Sequence, residues 1–126
     1  MTKISTGAAF LDTFLDGGYD HDIITTLYGP AGAGKTNFCL LAAVAMAANK
    51  KVILIDTEGG IAVERIRQIS GEKHKEILER LVFFHPVTFD EQKEIFEKLR
   101  GLVNEHIGLI IVDSISMLYH TLPLCT

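Results

Sequence analysis

Cysteine is scarce, cationic charge is not in excess and no apolar run is long, and each shortage narrows the reading. The two cysteines, Cys39 in an apolar segment and Cys125 near the tail, show neither metal-ligand nor disulfide-framework spacing, which suits a reducing interior. Lys and Arg number 12 against 16 Asp and Glu, a formal net charge of −4. There is therefore no global basic footprint for nucleic acid, and any such binding has to use a local patch or a segment outside these residues. The run from Phe38 to Ala48 is too short to span a bilayer, and Met1-Thr2-Lys3 leads into no secretory pattern. A cytoplasmic protein with no membrane partner is the expectation. His21, His74, His85, His106 and His120 show no ligand spacing and read as surface or packing residues. Internal repeats and low-complexity linkers are also missing, and 126 residues at 48% hydrophobic content make one domain at most, with enough apolar matter for a real core.

What is present centres on Gly29-Pro30-Ala31-Gly32-Ala33-Gly34-Lys35-Thr36, which meets the pattern G-x-x-x-x-G-K-[ST] at every required position. The β-branched and aromatic stretch Ile23 to Tyr28 precedes it and an apolar run of helical length follows it, the strand–loop–helix setting the motif needs. Glycines at 29, 32 and 34 let successive backbone N–H groups turn inward as an anion nest, and the phosphates then sit on the positive end of the following helix. Lys35 is placed to reach the β- and γ-phosphates, and the Thr36 hydroxyl to ligate Mg²⁺, a hard cation that takes oxygen ligands. Read as structure alone, the stretch is a glycine-rich turn from strand to helix.

In chain order, Ser5-Thr6-Gly7 predicts the cap of a short packing helix with Phe10, Leu11, Phe14 and Leu15 on one face, stopped by Gly17-Gly18. A strand near residues 23–28 and a helix from Lys35 to about Asn49, apolar nearly all round and closed by Lys50-Lys51, come next. Val52-Ile53-Leu54-Ile55 is a continuous apolar run, the mark of a strand covered on both faces. Short helices around Val63–Gln68 and Glu72–Arg80 lead to a strand at Leu81–Phe84 that Pro86 ends. Thr88 and Glu91 form a capping box for a helix whose stripe of Ile95, Phe96, Leu99, Leu102 and Val103 reads as core, with a solvated charged face opposite.

Two carboxylates stand where strands end. In an open parallel sheet ligands bind at the carboxyl ends of strands, so Glu58 in Asp56-Thr57-Glu58-Gly59-Gly60 reads as a candidate general base that orients water; a charged residue capping a strand end gives the same pattern. Leu109-Ile110-Ile111-Val112-Asp113 is a second nucleotide signature, with Asp113 placed to hold Mg²⁺ through its water shell.

Ile4-Ser5-Thr6-Gly7, Leu11-Asp12, Gly17-Gly18, the phosphate loop, Asp56 to Gly60 with Glu64-Arg65-Ile66, and Ile111-Val112-Asp113-Ser114 together resemble the RecA-fold recombinases, most closely the archaeal RadB-type paralogues of the RadA recombinase. The likeness covers almost the whole chain, and S-T-G with D-T-E-G-G are its discriminating pieces. It implies an α/β fold of the phosphate-loop, RecA-like kind, three layers α/β/α around a mostly parallel sheet, with ATP and Mg²⁺ as ligands. By position it implies that Gly29 to Thr36 cradle ATP, that Glu58 with Lys35 is catalytic, that Thr36 and Asp113 serve the metal, and that Arg65 stacks on adenine, with a surface arginine as the alternative to that last reading. The family usually shows an Arg-Pro pair where Ala62-Val63 stand here, which suits a divergent paralogue more than a principal strand-exchange enzyme. It also places DNA-binding loops and one further sheet strand after the second signature, so these residues read as the amino-terminal part of a longer domain, with DNA contacts largely beyond Thr126.

The resemblance thus implies a DNA-dependent ATPase of recombination and repair, with DNA, the main recombinase and further copies of itself as candidate partners. A nucleotide-dependent regulator with little hydrolysis is the alternative. A small kinase fits the loop too, but Arg65, Arg67, Arg80 and Arg100 are scattered rather than gathered into a phosphate-clamping lid. A related repair- or clock-type ATPase of the same fold is the remaining reading.

Overall fold

The protein is described by a computed structural model over residues 3–20, 24–25, 34–57, 59 and 61–113. The phosphate-loop residues Gly29 to Ala33, most of the strand predicted near 23–28, Glu58 and Cys125 lie outside the described residues.

The central sheet is parallel, in the order β4 (Leu81–Phe84), β3 (Lys51–Asp56), β5 (Ile107–Asp113). Val52 to Asp56 are buried without a break, as the unalternating sequence predicts for a strand covered on both faces. Register runs from Val52 opposite Leu109 to Asp56 opposite Asp113, so two strands end level, each on an aspartate. The helix α2 (Lys35–Ala47) packs on the Val52 and Leu54 face through Leu40, Ala43 and Ala47, joined by Ile66 of α3 (Val63–Ser70) and Ile77 of α4 (His74–Glu79). On the other face Ile53 and Val82 share a cleft with Leu102 of α5 (Phe89–Leu102).

Three expectations change. Helix α1 (Ala9–Phe14) is capped at Ala8 without a side-chain bond and buries none of its residues; Phe10 and Phe14 are 73% and 81% exposed. Ser5 and Thr6 are instead engaged by Asp12: its Oδ1 accepts from Thr6 N (2.7 Å) and Thr6 Oγ1 (2.6 Å), and its Oδ2 from Ser5 Oγ (2.7 Å). These bonds hold the Asp12 carboxyl below its ordinary value, Thr6 Oγ1 contributing most. The segment is pinned further by a small antiparallel pair, β1 (Lys3–Ile4) with β2 (Tyr19–Asp20), and by an ion pair between Lys3 and Asp20. The α5 stripe is not core: Ile95, Phe96 and Leu99 are half-buried and Leu102 and Val103 exposed, because the main apolar cluster lies on the other face of the sheet. Its buried residue is Gln92. Within β5, Ile111 is buried but Ile110 is exposed, since that strand pairs on one side only among the described residues.

The α5 cap forms with a shift of partner. Thr88 Oγ1 accepts from Glu91 N (3.1 Å), but Glu91 Oε2 reaches one residue further back, to Val87 N (2.7 Å).

Candidate functional site

The site assembles at the carboxyl ends of β3 and β5, where α2 begins. Gly34 caps α2 at φ +89, in the left-handed region that favours glycine; a Cβ there meets nothing within 4 Å among the described residues. The first turn of α2 holds no acidic residue of its own; the negative charge beside the positive end of its dipole comes from Asp113 at the end of β5. Lys35 and Thr36 open the helix half-buried.

Thr36 Oγ1 donates to Asp113 Oδ2 at 2.9 Å, bridging 77 positions of sequence. Both groups are hard oxygen donors. With its proton committed to Asp113, the hydroxyl keeps its lone pairs for a cation, so this donor set fits Mg²⁺. The charge of Asp113 also reaches Cys39 one turn along α2: burial first, and Asp113 second, push that thiol up to about 11. Cys39 is consequently a neutral packing residue.

Asp56 acts differently from its neighbour. Its carboxylate folds back on its own turn, Oδ1 accepting from Gly59 N (2.8 Å) and Oδ2 from Ile61 N (3.0 Å). Its carbonyl accepts from His85 Nδ1 (2.7 Å) at the end of β4, and Thr57 N donates to Asp113 O (2.8 Å). Residues 57, 59 and 61 are thus held on both sides of position 58. The sequence offers no signal for His85 in this role, because one imidazole bonding a carbonyl leaves no spacing to read.

Arg65 is brought to the start of α2. Its Nε donates to Asn37 Oδ1 (3.2 Å), one residue past Thr36, and its Nη1 to Gln68 Oε1 (3.3 Å). The structure therefore gathers Gly34, Lys35, Thr36, Asp113 and Arg65 from the predicted site. Among the described residues no three His, Cys, Asp or Glu side chains converge as a metal cluster, and no helix is long and apolar enough to cross a membrane. A cleft of about 690 Å³ opens at the opposite, amino ends of β3 and β5, lined in part by Lys50, Lys51, Arg80 and His106, and includes none of the predicted site residues.

Two parallel strands end on aspartates beside the start of α2, which precedes both in the chain, and the likeness to a solved recombinase structure makes this a RecA-like α/β protein. It belongs to the Rad51 family, whose model matches residues 1–122. It is similar to a protein described as DNA repair and recombination protein RadB from Methanococcus maripaludis strain C7, 46% identical over 116 residues, covering 91% of this chain and 53% of that one. A protein of the same description from Methanocaldococcus jannaschii is 41% identical over 109 residues, covering 86% and 51%. A solved structure described as the crystal structure of the RadB recombinase superposes with a TM-score of 0.80 at 36% identity, covering 93% of this chain and 54% of that one. The chain thus spans about half the length of the relatives it matches.

Proposed function

We propose that the protein binds ATP with Mg²⁺ and works as a DNA-dependent ATPase of the recombinase class in homologous recombination and DNA repair, assisting the main recombinase of its cell. The observation that carries this reading is the Thr36–Asp113 hydrogen bond, which joins the end of the phosphate-loop motif to the second acidic signature at 2.9 Å. Gly29 to Thr36 cradle the phosphates, and Lys35 meets the β- and γ-phosphates with a positive charge. Thr36 and Asp113 hold Mg²⁺, which when bound neutralises charge developing on the transferring phosphoryl group. Glu58 accepts a proton from, and orients, the attacking water, on a turn whose flanking residues Asp56 and His85 brace. Arg65 offers its guanidinium face to adenine. DNA contacts lie largely beyond Thr126, further copies of the chain are candidate neighbours, and a cytoplasmic location goes with this role.

Phosphate release by the whole purified protein tests it, measured with MgATP with and without single-stranded DNA, beside Glu58→Gln. DNA-stimulated release that Glu58→Gln abolishes supports the reading. Tight ATP binding, negligible release and recombination activity untouched by Glu58→Gln support instead a nucleotide-dependent regulator. Ala62-Val63, standing where the family usually shows Arg-Pro, favours that second reading.

A further inference from the structure

The contacts of Arg65 reach beyond its proposed stacking on adenine and rest on that reading. A guanidinium stacks through its faces and donates through its edge, and an exposed arginine samples many planes unless its edge is tied down. Arg65 is tied at two edge donors, Nε to Asn37 Oδ1 (3.2 Å) and Nη1 to Gln68 Oε1 (3.3 Å). Two in-plane bonds fix the tilt of the group and leave its faces free. The nearby acid on the same helix is occupied elsewhere, Glu64 Oε1 pairing with Arg67 Nη1 at 3.3 Å. Asn37 is also the residue after Thr36, so the turn of α2 that serves the phosphates and cation also sets where the guanidinium stands.

We propose that Asn37 and Gln68 are positioning residues that orient Arg65 and thereby make the site selective for purine over pyrimidine nucleotides. The larger purine ring gains more from a fixed platform than a pyrimidine does. Inorganic triphosphate, which has no base, gains nothing from it.

The test is calorimetric binding of MgATP, MgCTP and magnesium triphosphate to the whole protein and to Asn37→Ala, Gln68→Ala, Arg65→Ala and the Asn37→Ala/Arg65→Ala pair. Each truncation removes one exposed hydrogen bond, so Asn37→Ala is expected to weaken ATP about threefold to tenfold. Triphosphate binding stays unchanged, CTP weakens less than ATP so that the preference for ATP over CTP shrinks, and Asn37→Ala adds nothing once Arg65 is gone. Equal weakening of ATP and triphosphate by Asn37→Ala overturns the inference, since Asn37 then acts on the phosphate end. So does no weakening of either while Arg65→Ala lowers ATP alone. If Arg65→Ala leaves the ratio of ATP to triphosphate affinity unchanged, the reading of Arg65 as a base platform fails and takes the inference with it.

Discussion

Replacing Thr36 by Val keeps the shape of the side chain and removes its hydroxyl, which isolates the bond to Asp113. Asp113 is 7% exposed, and its carboxylate loses a donor at 2.9 Å. Loss of a hydrogen bond to a buried charged acceptor costs about 1.5–3 kcal/mol. Thr36 is only half-buried, so water recovers part of this and about 1–2 kcal/mol is the expected destabilisation. In an Asp113→Ala background the hydroxyl has no carboxylate to serve, and the same Thr36→Val change is close to neutral. Urea unfolding of the four proteins, with equal denaturant slopes, reads the coupling as a shift in midpoint. A coupling energy under about 0.3 kcal/mol refutes the bond as an organising contact of the site, because independent positions add to within that margin.

Gly7→Ala is expected to destabilise by about 2–4 kcal/mol, combining a residue forced to positive φ with overpacking; at φ +87 its new Cβ falls 2.2 Å from Leu41 O, and thermal unfolding measures the loss. Leu54→Ala, at a position with no exposure, costs about 2–5 kcal/mol by the same measurement. Asp12, whose carboxyl is lowered in the folded protein, contributes stability that is present above its unfolded value and is lost as pH falls below about 4 through the folded one; Asp12→Asn flattens that acid limb, and an unchanged limb refutes the assignment. Cys39 is raised from 9.0 to about 11, so its contribution holds below pH 9.0 and is lost as pH rises towards 11. Asp113→Asn removes one cause of that rise, and alkylation of Cys39 at pH 9 should then run faster than in the parent. His85→Ala removes the imidazole donor from the Asp56 carbonyl, and hydrogen exchange at Gly59 and Ile61 should quicken while exchange in α2 stays as it was.

Much of the fold was legible because its signals are continuous along the chain. The buried run Val52–Ile55, the strand at Leu81–Phe84 and the helix opening at Lys35 need only neighbouring residues to be read, and they stand where expected. The α5 stripe misled because 3.6-residue periodicity tells which residues share a face and not how deeply that face is buried. Phe10 and Phe14 misled in the same way, and Ser5 and Thr6 passed for a helix cap because a carboxylate seven and six residues on, at Asp12, claims the same hydroxyls and backbone N–H that capping chemistry would use. In the site, Thr36 and Asp113 were foreseeable as separate motifs. Asn37 and His85 were not, since each acts by a single hydrogen bond across space and sequence spacing carries no trace of that.

The two aspartates that close β3 and β5 show why position on a strand does not settle a residue's chemistry. Asp56 and Asp113 are paired in register, are exposed to nearly the same small extent, and follow the same kind of apolar run. The difference lies in what comes next in the chain. After Asp56 the backbone doubles back through Gly59, at φ +76, which turns the N–H groups of Gly59 and Ile61 onto the carboxylate and engages both of its oxygens locally. Asp113 Oδ2 instead accepts from the Thr36 hydroxyl at the head of α2. One carboxylate therefore braces the residues on either side of position 58, and the other, in the proposed function, serves a cation. The Thr57 N–H bond to the Asp113 carbonyl ties the two strand ends together, so displacement of either is passed to the other. Exchanging the roles by Asp56→Asn and Asp113→Asn separates them in one assay. The first should loosen the 57–61 turn at unchanged affinity for magnesium triphosphate; the second should weaken that affinity and leave the turn intact. Loss of both properties in both variants refutes the division.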